Sequence, residues 1–328
     1  MTLIDLLVNN PVVLLQILWT GAATSLSLVL LTVAFSLTQK VTGLWNFAQA
    51  GFMGLAFYAM YFVLNALEWP LPAAAAAGVV AASGAGLLTE IFGLDILRAR
   101  KSGNLTFFIF TLILSEFIIY WLALVFGTEP QTLYKSILSP VQIVGGIAIS
   151  NWELQAVAIT AVMLTALWAY LNWSKQGQFI IAVSDNAKLA ELYGISSKRA
   201  YRVVAIIAGM FICAGMFLIG SRGGLTPNSP MEFVLTATIA TLLGGMGRVF
   251  AAAVAAVVLA LIQSFSVLEI PARWQSLLLY IFLFVAIVLF PRGINFKRRP
   301  KRIEPTPSVP ASVPTGASVS TAEPATKT

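Results

Sequence analysis

The chain has 328 residues, of which 59% are hydrophobic and 10% are charged, and its mean hydropathy is +0.88. Soluble domains carry roughly 25% charged residues, so this composition excludes an ordinary soluble protein and predicts an all-α, polytopic transmembrane helical bundle. The net charge of +7 does not indicate a nucleic-acid partner, because Lys and Arg lie in loops and in residues 292–302, where they are expected to anchor the chain at the cytoplasmic face of a lipid membrane.

About nine membrane spans are predicted along the chain, because each spanning helix needs about 20 apolar residues. Eight spans are the alternative, if one segment enters the membrane and returns. The N-terminal end holds Asp5 and no Lys or Arg, so it is expected outside the cytoplasm, and the basic C-terminal segment is expected inside. Seven spans are single apolar runs: residues 13–37, 44–67, 73–92, 105–126, 154–171, 203–220 and 277–290.

Residues 232–265 form a longer apolar run than one ordinary span requires. Gly244, Gly245 and Gly247 interrupt it near its middle and allow a sharp bend. Two short spans with a turn at Arg248 are therefore predicted, while a re-entrant or long tilted helix is the alternative.

Residues 173–202 form the only long polar interruption between the apolar spans, and basic residues outnumber acidic ones there. In the centre, apolar residues recur at helical spacing. Ser184 or Asp185 can cap a short helix at this place, and Gly194 can end it. The basic charge predicts a cytoplasmic loop. Its short helix would either lie on the lipid surface or dock onto another protein.

Glu116 is the one carboxylate predicted deep within a span. Intramembrane carboxylates are costly and often functional, so Glu116 is a candidate residue for ion-coupled transport. The alternative is a structural bond to Ser115, to Thr111 or to another helix.

Asn46 and Gln49 lie three positions apart, which predicts that they share one helical face. Gly43, Gly51 and Gly54 are close in the sequence. Because glycine has no side chain, the backbone can come close to a solute or to a partner helix at this place. The segment would either line a translocation path or pack helices through small residues and hydrogen bonds.

The sequence contains none of the common catalytic motifs, namely G-x-x-x-x-G-K-[ST], HExxH or GxSxG. It has no histidine, and its single cysteine, Cys213, lies in an apolar run. We therefore expect no enzyme activity, no ATPase site in this chain, and no cofactor or metal.

Four motifs in a fixed order make the chain resemble the permease subunits of ABC importers for branched-chain amino acids, the family that also includes urea and short-amide permeases. They are LWNFAQAGFMG at 44–54, AVSDNAKLAELYGI at 182–195, RGGLTPNSPMEF followed by TATIATLLGGMGRVF at 222–250, and LFPRGI at 289–294. The chain departs from the family pattern at Ala50, where Gly is usual, and after Gly247, where Pro and further Gly are usual. These departures affect which substrate is expected, and they leave the resemblance to a transporter intact.

The resemblance implies a multi-pass permease subunit of the bacterial inner membrane, which pairs with a second permease to form the translocation path. Two cytoplasmic P-loop ATPase subunits would drive transport, and an extracytoplasmic solute-binding protein would deliver a branched-chain or related hydrophobic amino acid. Urea or short-chain amides are alternative substrates, and an ion-coupled carrier using Glu116 is a further alternative. Residues 1–295 would form the permease domain with its coupling loop at 173–202, and residues 296–328 a basic, then Pro/Ser/Thr-rich, disordered cytoplasmic tail.

Two groups of candidate site residues follow. The substrate-path candidates are Asn46, Gln49, Gly51, Glu116, Gly244, Gly245 and Gly247. Residues 185–194, here named the coupling segment, would contact the ATPase through Asp185, Ala187, Leu189, Ala190, Glu191, Leu192, Tyr193 and Gly194.

Overall fold

The computed structural model describes residues 11–134, 141–144 and 147–266, and seven single positions between 274 and 288. The N-terminal end, the predicted last span at 277–290, the LFPRGI motif and the tail at 296–328 lie outside the continuously described residues.

Helices make up most of the described chain. They are α1 (Pro11–Thr42), α2 (Ala48–Asn65), α3 (Leu71–Leu88), α4 (Asp95–Ala99), α5 (Asn104–Phe126), α6 (Asn151–Trp173), α7 (Lys175–Leu192), α8 (Ser197–Gly220), α9 (Ser229–Gly244) and α10 (Val249–Ser266). A π-helical segment, Thr89–Leu94, joins α3 to α4. Strands β1 (Val141–Val144) and β2 (Ile147–Ser150) form an antiparallel hairpin, in which Val144 pairs with Ile147.

Six helical stretches of the described residues are long and apolar enough to cross a membrane. They are Leu14–Thr42, Leu71–Ala99, Asn104–Phe126, Asn151–Trp173, Ser197–Gly220 and Val249–Ser266. The predicted helical class is thus confirmed, whereas the count of eight or nine crossings and the orientation of the two termini stay predictions.

Helix α1 lies at the centre of the bundle, where it packs against α6, α8, α9 and α10. Leu30, Leu31, Val33 and Ala34 in its middle have no exposed surface. On another side of the bundle, α2 packs against α3 and α5, and α3 packs against α8. The alanine-rich sequence of α3 suits this arrangement, because small side chains let transmembrane helices approach closely.

Local sequence signals set several helix starts. Pro70 and Pro72 lie at the start of α3, where the missing N–H of proline leaves no helical bond unmade. Ser150 and Glu153 form a capping box at α6, in which the Ser150 hydroxyl accepts from the backbone and the Glu153 carboxylate accepts from the N–H of Ser150.

The predicted break in the 232–265 run is confirmed, because α9 ends at Gly244 and α10 begins at Val249. Gly245 and Gly247 have φ values of +91° and +84°, which only glycine adopts readily.

The prediction that Asn46 and Gln49 share a helical face is wrong. Residues 43–47 are irregular, and Asn46 precedes α2, where its Oδ1 accepts a hydrogen bond from the backbone N of Ala48 at 3.1 Å. The short amide side chain competes for the free N–H groups of the helix start, which is why Asn is favoured there.

The polar loop at 173–202 is more helical than predicted, since α7 already begins at Lys175. A kink at Asn186, with φ −156° and ψ 98°, divides α7. The predicted cap at Ser184 or Asp185 is wrong, because Asn186 Oδ1 accepts from the backbone N of Leu189 at 3.0 Å.

Four connections meet at one end of the bundle: residues 43–47, 100–103, 193–196 and 245–248. Lys40, Ser184 and Arg248 line one shared cavity there, and Arg202 forms an ion pair with Asp95. Of the described Lys and Arg residues, all except Arg222 lie at or near this basic end. The positive-inside rule predicts that this end faces the cytoplasm, and the orientation stays a prediction.

Candidate functional site

A cavity of about 970 Å³ lies between α1, α9 and α10, at the end of the bundle opposite the basic end. The start of α6 and the turn after α8 complete its walls. Its polar lining consists of Gln16, Thr20, Thr24, Ser27, Arg222, Glu232, Thr236, Gln263 and Ser264, and its larger apolar side chains are Ile17, Leu28, Trp152, Ile219, Leu225 and Phe233. The cavity therefore offers both polar groups and apolar surface to a bound molecule.

Helix α1 contributes a polar stripe to the cavity. Gln16, Thr20, Thr24 and Ser27 are spaced by four, four and three positions, so they share one helical face. The hydroxyls of Thr24 and Ser27 donate to backbone carbonyls of their own helix at 3.0 and 2.9 Å, which leaves oxygen lone pairs free to accept from a ligand. Polar residues in membrane spans usually face an internal cavity in this way.

Arg222 is the one cation among the described residues that line this cavity. Its guanidinium carbon lies 5.5 Å from the ring centroid of Trp152, and the Trp152 Nε1–H donates to Ser221 Oγ at 2.9 Å, which fixes the ring. Since arginine stays protonated in proteins, the cavity presents a fixed positive charge.

The acidic groups near Arg222 have different surroundings. Glu232 lines the cavity from the first turn of α9. Glu153 is buried, and its Oε2 accepts from the Trp19 Nε1–H at 2.6 Å. Glu153 thus ties α6 to α1, while Glu232 lines the cavity and also interacts with another group of the protein.

A second cavity, of about 350 Å³, lies at the basic end. Of the predicted path residues, only Gly247 lines it. Gly244 packs so tightly against the backbone of Ala252 in α10 that a Cβ would collide there, and Gly245 forms the turn. The structure thus places the three glycines at one helix junction rather than along the larger cavity.

Asn46, Gln49 and Gly51 lie in a packed interface between α1, α2 and α5, and line neither cavity. Gln49 is 2% exposed, and its Nε2 donates to Thr38 Oγ1 in α1 at 2.9 Å. The backbone N of Gly51 donates to Ser115 Oγ in α5 at 3.2 Å. These contacts have the form of helix packing through small and polar residues, and a role in solute passage stays a prediction.

Glu116 is half-buried in the middle of α5 and lines neither cavity. The Ser115 hydroxyl accepts from the backbone N of Gly51, and the Thr111 hydroxyl donates to backbone carbonyls, so neither shows a bond to Glu116. Within the described part of the chain, Glu116 makes no hydrogen bond or ion pair.

The coupling segment exposes large apolar side chains at the basic end. Leu192 is 85% exposed, Tyr193 79% and Leu189 50%, whereas Ala190 is buried. Asp185 and Glu191 are exposed as well, and Ala187 packs against the core. The short helix after the kink therefore rests on the bundle through two alanines and presents its apolar side outward.

Gly194 ends this short helix as predicted, with φ +79°. The backbone N of Ile195 donates to the carbonyl of Ala190, and that of Gly194 donates to Glu191, both at 3.0 Å. This paired arrangement is a Schellman motif, which fixes the path of the chain after the helix.

Sequence reasoning missed the residues of the larger cavity. The four-residue spacing of polar side chains in the first span was the available signal for Gln16, Thr20, Thr24 and Ser27. No local pattern connects this stripe to Arg222 or Glu232, which reach the cavity only through the folding of distant helices.

Comparisons with known proteins agree with this architecture. Residues 17–287 match the family described as "Branched-chain amino acid transport system / permease component". The chain is similar to the high-affinity branched-chain amino acid transport system permease protein LivH of Salmonella typhimurium, with 24% identity over 298 residues that cover 85% of this chain and 94% of LivH. It is also similar to BraD of Pseudomonas aeruginosa, with 19% identity over 85% of this chain and 95% of BraD.

A more distant similarity involves the fructose import permease protein FrcC of Rhizobium meliloti, with 24% identity over 40% of this chain and 39% of FrcC. No solved structure matches the chain significantly. The family match covers most of the chain, and its helices are long and apolar enough to cross a membrane. The chain is therefore a multi-pass inner-membrane protein that belongs to the permease-component family of branched-chain amino acid ABC transport systems.

Proposed function

We propose that this chain forms half of the translocation path for a branched-chain or related apolar amino acid, and that the 970 Å³ cavity is where the solute enters it. The observation that carries this proposal is the combination of charges and surfaces in the cavity. Arg222 can bind the α-carboxylate, Glu232 can attract the α-ammonium group, and the apolar lining can cover the side chain. The cavity volume lies in the range of small-molecule sites, about 300–1,000 Å³.

The chain would act as a transport subunit without catalytic chemistry of its own. Its relatives are described as permease proteins of transport systems, so the energy would come from separate ATPase subunits. A second permease, two ATPases and an extracytoplasmic binding protein would complete the importer.

Uptake of radiolabelled leucine into proteoliposomes tests the cavity assignment. The complete complex is reconstituted with saturating binding protein, and Arg222→Gln is compared with wild type. Losing a hydrogen bond to a charged group costs about 1.5–3 kcal/mol, so uptake at limiting solute should fall about tenfold or more. Arg100→Gln, an exposed cation at the basic end, is the matched control and should leave uptake unchanged.

Two results would contradict this assignment. Leucine uptake that is unaffected by Arg222→Gln would remove Arg222 from the path. Transport of urea or acetamide by the wild-type complex in place of leucine would favour the amide alternative, because a neutral amide needs no pair of opposite charges.

For the coupling segment we propose docking onto an ATPase subunit. The support is the exposure of Leu189, Leu192 and Tyr193 on a short helix at the basic end, since a helix that presents an apolar face commonly enters a groove of its partner. The lipid-surface alternative would use the same side chains.

Co-purification distinguishes these two roles of the coupling segment. Changing Leu189 and Tyr193 together to Glu should abolish retention of the ATPase, because two carboxylates would have to enter an apolar groove. Lys198→Glu, an exposed charge change in the first turn of α8, is the control and should retain the ATPase. Full retention and ATP-driven uptake in the double variant would exclude docking through these residues.

A further inference from the structure

Two acidic and two basic side chains form an ion network where the π-helical segment and α4 meet the start of α8. Glu90 is 3% exposed and Asp95 is 9% exposed. Arg98 Nη1 contacts Glu90 Oε1 and lies 3.3 Å from Asp95 Oδ1, and Arg202 Nη2 of α8 lies 3.1 Å from Asp95 Oδ2. Asp95 therefore bridges two arginines that come from different helices.

The π-helical segment makes this network possible. Glu90 and Asp95 are five positions apart, and in a regular α-helix of 3.6 residues per turn they would point about 140° away from each other. Across Thr89–Leu94 the backbone N of Asp95 donates to the carbonyl of Glu90, the i to i+5 bond of a π-helix, so the two carboxylates share one side. Single π-helical turns within α-helices are frequent at functional sites.

A second contact crosses the same interface. The Arg98 guanidinium carbon lies 4.2 Å from the ring centroid of Tyr201, the residue before Arg202. Arg98 therefore holds the π-helical segment and α8 together through both its ion pairs and its contact with Tyr201.

The network lies close to the coupling segment in the chain, since Arg202 follows Ser197, the first residue of α8, by five positions. Helix α8 begins at Ser197, whose hydroxyl donates to the carbonyl of Ala187 at 3.5 Å. The Schellman motif at Gly194 fixes the backbone between the coupling segment and α8. The two helices are therefore joined by a short link with little conformational freedom.

We propose that Glu90 and Asp95 are positioning residues that transmit movement of the coupling segment to the membrane helices. They do so by fixing the first turns of α8 to the π-helical segment. Solvated lysines and arginines alone would suffice to anchor the basic end at a membrane surface. Burying carboxylates is costly, and buried ion pairs serve to fix geometry better than to add stability. Movement of the coupling segment would then carry α8 and α3 together.

The proposal rests on the proposed function, because it needs an ATPase that moves the coupling segment, but its test does not depend on the identity of the solute. Thr24→Cys places a thiol in the larger cavity, and Cys213, which is 3% exposed, serves as a slow-reacting background. The maleimide labelling rate of the reconstituted complex is measured without nucleotide and after trapping with ATP and vanadate. Trapping should change the rate by about fivefold or more, the lower range of allosteric coupling.

Asp95→Asn in this reporter should reduce the nucleotide-dependent change toward a ratio of one, while the ATPase remains bound and hydrolyses ATP. Glu90→Gln should act in the same direction. The charge exchange that combines Asp95→Arg with Arg202→Asp should restore the nucleotide response, because it re-forms the ion pair with its charges reversed; a bound, hydrolysing ATPase in Asp95→Asn separates this role from a folding defect. Arg100→Gln, outside the network, should respond as the parent reporter does.

Three outcomes overturn the proposal. An unchanged nucleotide response in Asp95→Asn shows that the network does not couple the two regions. Loss of the bound ATPase in that variant, without rescue by the charge exchange, assigns the network to folding alone. No nucleotide response in the parent reporter shows that the cavity is not driven by the ATPase. Failure of leucine uptake by the wild-type complex, with the nucleotide response intact, contradicts the proposed solute and leaves the coupling role supported.

Discussion

Replacing Gly209 with Ala should push apart helices α3 and α8, which pack against each other. A Cβ at Gly209 of α8 would lie 2.5 Å from both Cα and N of Ser83 in α3, whereas ordinary contacts begin near 3.4 Å. Because these are backbone atoms, no side-chain rotation relieves the collision, and the helices must move apart by about 1 Å. The hydrogen bond from Ser83 Oγ to the carbonyl of Ile206, 3.0 Å long, would lengthen with them.

The size of the effect follows from three contributions. Overpacking a close-packed interface costs typically 1–3 kcal/mol, and a strained hydrogen bond adds up to about 1 kcal/mol. The better helix propensity of Ala returns about 1 kcal/mol. The free energy of unfolding should therefore fall by up to about 3 kcal/mol, with a middle value of about 1.5 kcal/mol.

Gly84→Ala is the matched control, because Gly84 follows Ser83 in α3 and a Cβ there meets no atom within 4 Å. This control should be neutral or more stable by up to about 1 kcal/mol. Unfolding in detergent micelles by added sodium dodecyl sulfate, followed by circular dichroism, compares both variants with wild type. Stabilities of Gly209→Ala and Gly84→Ala that agree within about 0.5 kcal/mol would refute the close approach of α3 and α8.

Two further predictions concern single polar side chains. Ser150→Ala removes the hydroxyl of the capping box at α6 and should lower stability in the same unfolding assay by about 1 kcal/mol; an unchanged transition would mean that solvent or lipid headgroups replace the cap. Glu116→Gln should leave ATP-driven leucine uptake within about twofold of wild type, because Glu116 lines neither cavity; abolished uptake with normal ATPase binding would return Glu116 to the path.

Helix existence could be predicted from the sequence because length and hydropathy are properties of each segment alone. The break between α9 and α10 was predictable for the same reason, since Gly245 and Gly247 supply the positive φ angles that the turn needs. The stop at Gly194 also follows from one residue and its neighbours.

The π-helical segment was not predictable from periodicity, because Thr89–Leu94 reads as part of one apolar helix. Residues that are distant in the sequence contact this segment. Arg202 forms an ion pair with Asp95, and the ring of Phe110 packs so closely against Gly93 that a Cβ added there would lie 2.5 Å from it. The placement of Asn46 was mispredicted because the loss of helical geometry at residues 43–47 has only a weak local signal.

The lining of the larger cavity was not predictable for a related reason. Polar residues within apolar runs drew attention to Gln49, which is almost fully buried between helices. The larger cavity instead combines a stripe on α1 with Arg222 and Glu232. Only the packing of α1 against α9 and α10 brings them together, and sequence spacing carries no information about it.

Helix α8 connects the two regions that the proposals assign. It has 24 residues, which at 1.5 Å per residue extend about 36 Å, enough to cross the membrane. Its first turns carry Tyr201 and Arg202 in the ion network, and its last residue leads directly into the turn that holds Arg222. A helix of this kind transmits displacement along its axis with little loss, because its hydrogen bonds resist stretching. Movement at the coupling segment can therefore reach the cavity along α8 when the ion network fixes its first turns, without a carboxylate such as Glu116 on a peripheral helix, and this connection favours an ATPase-driven permease over an ion-coupled carrier.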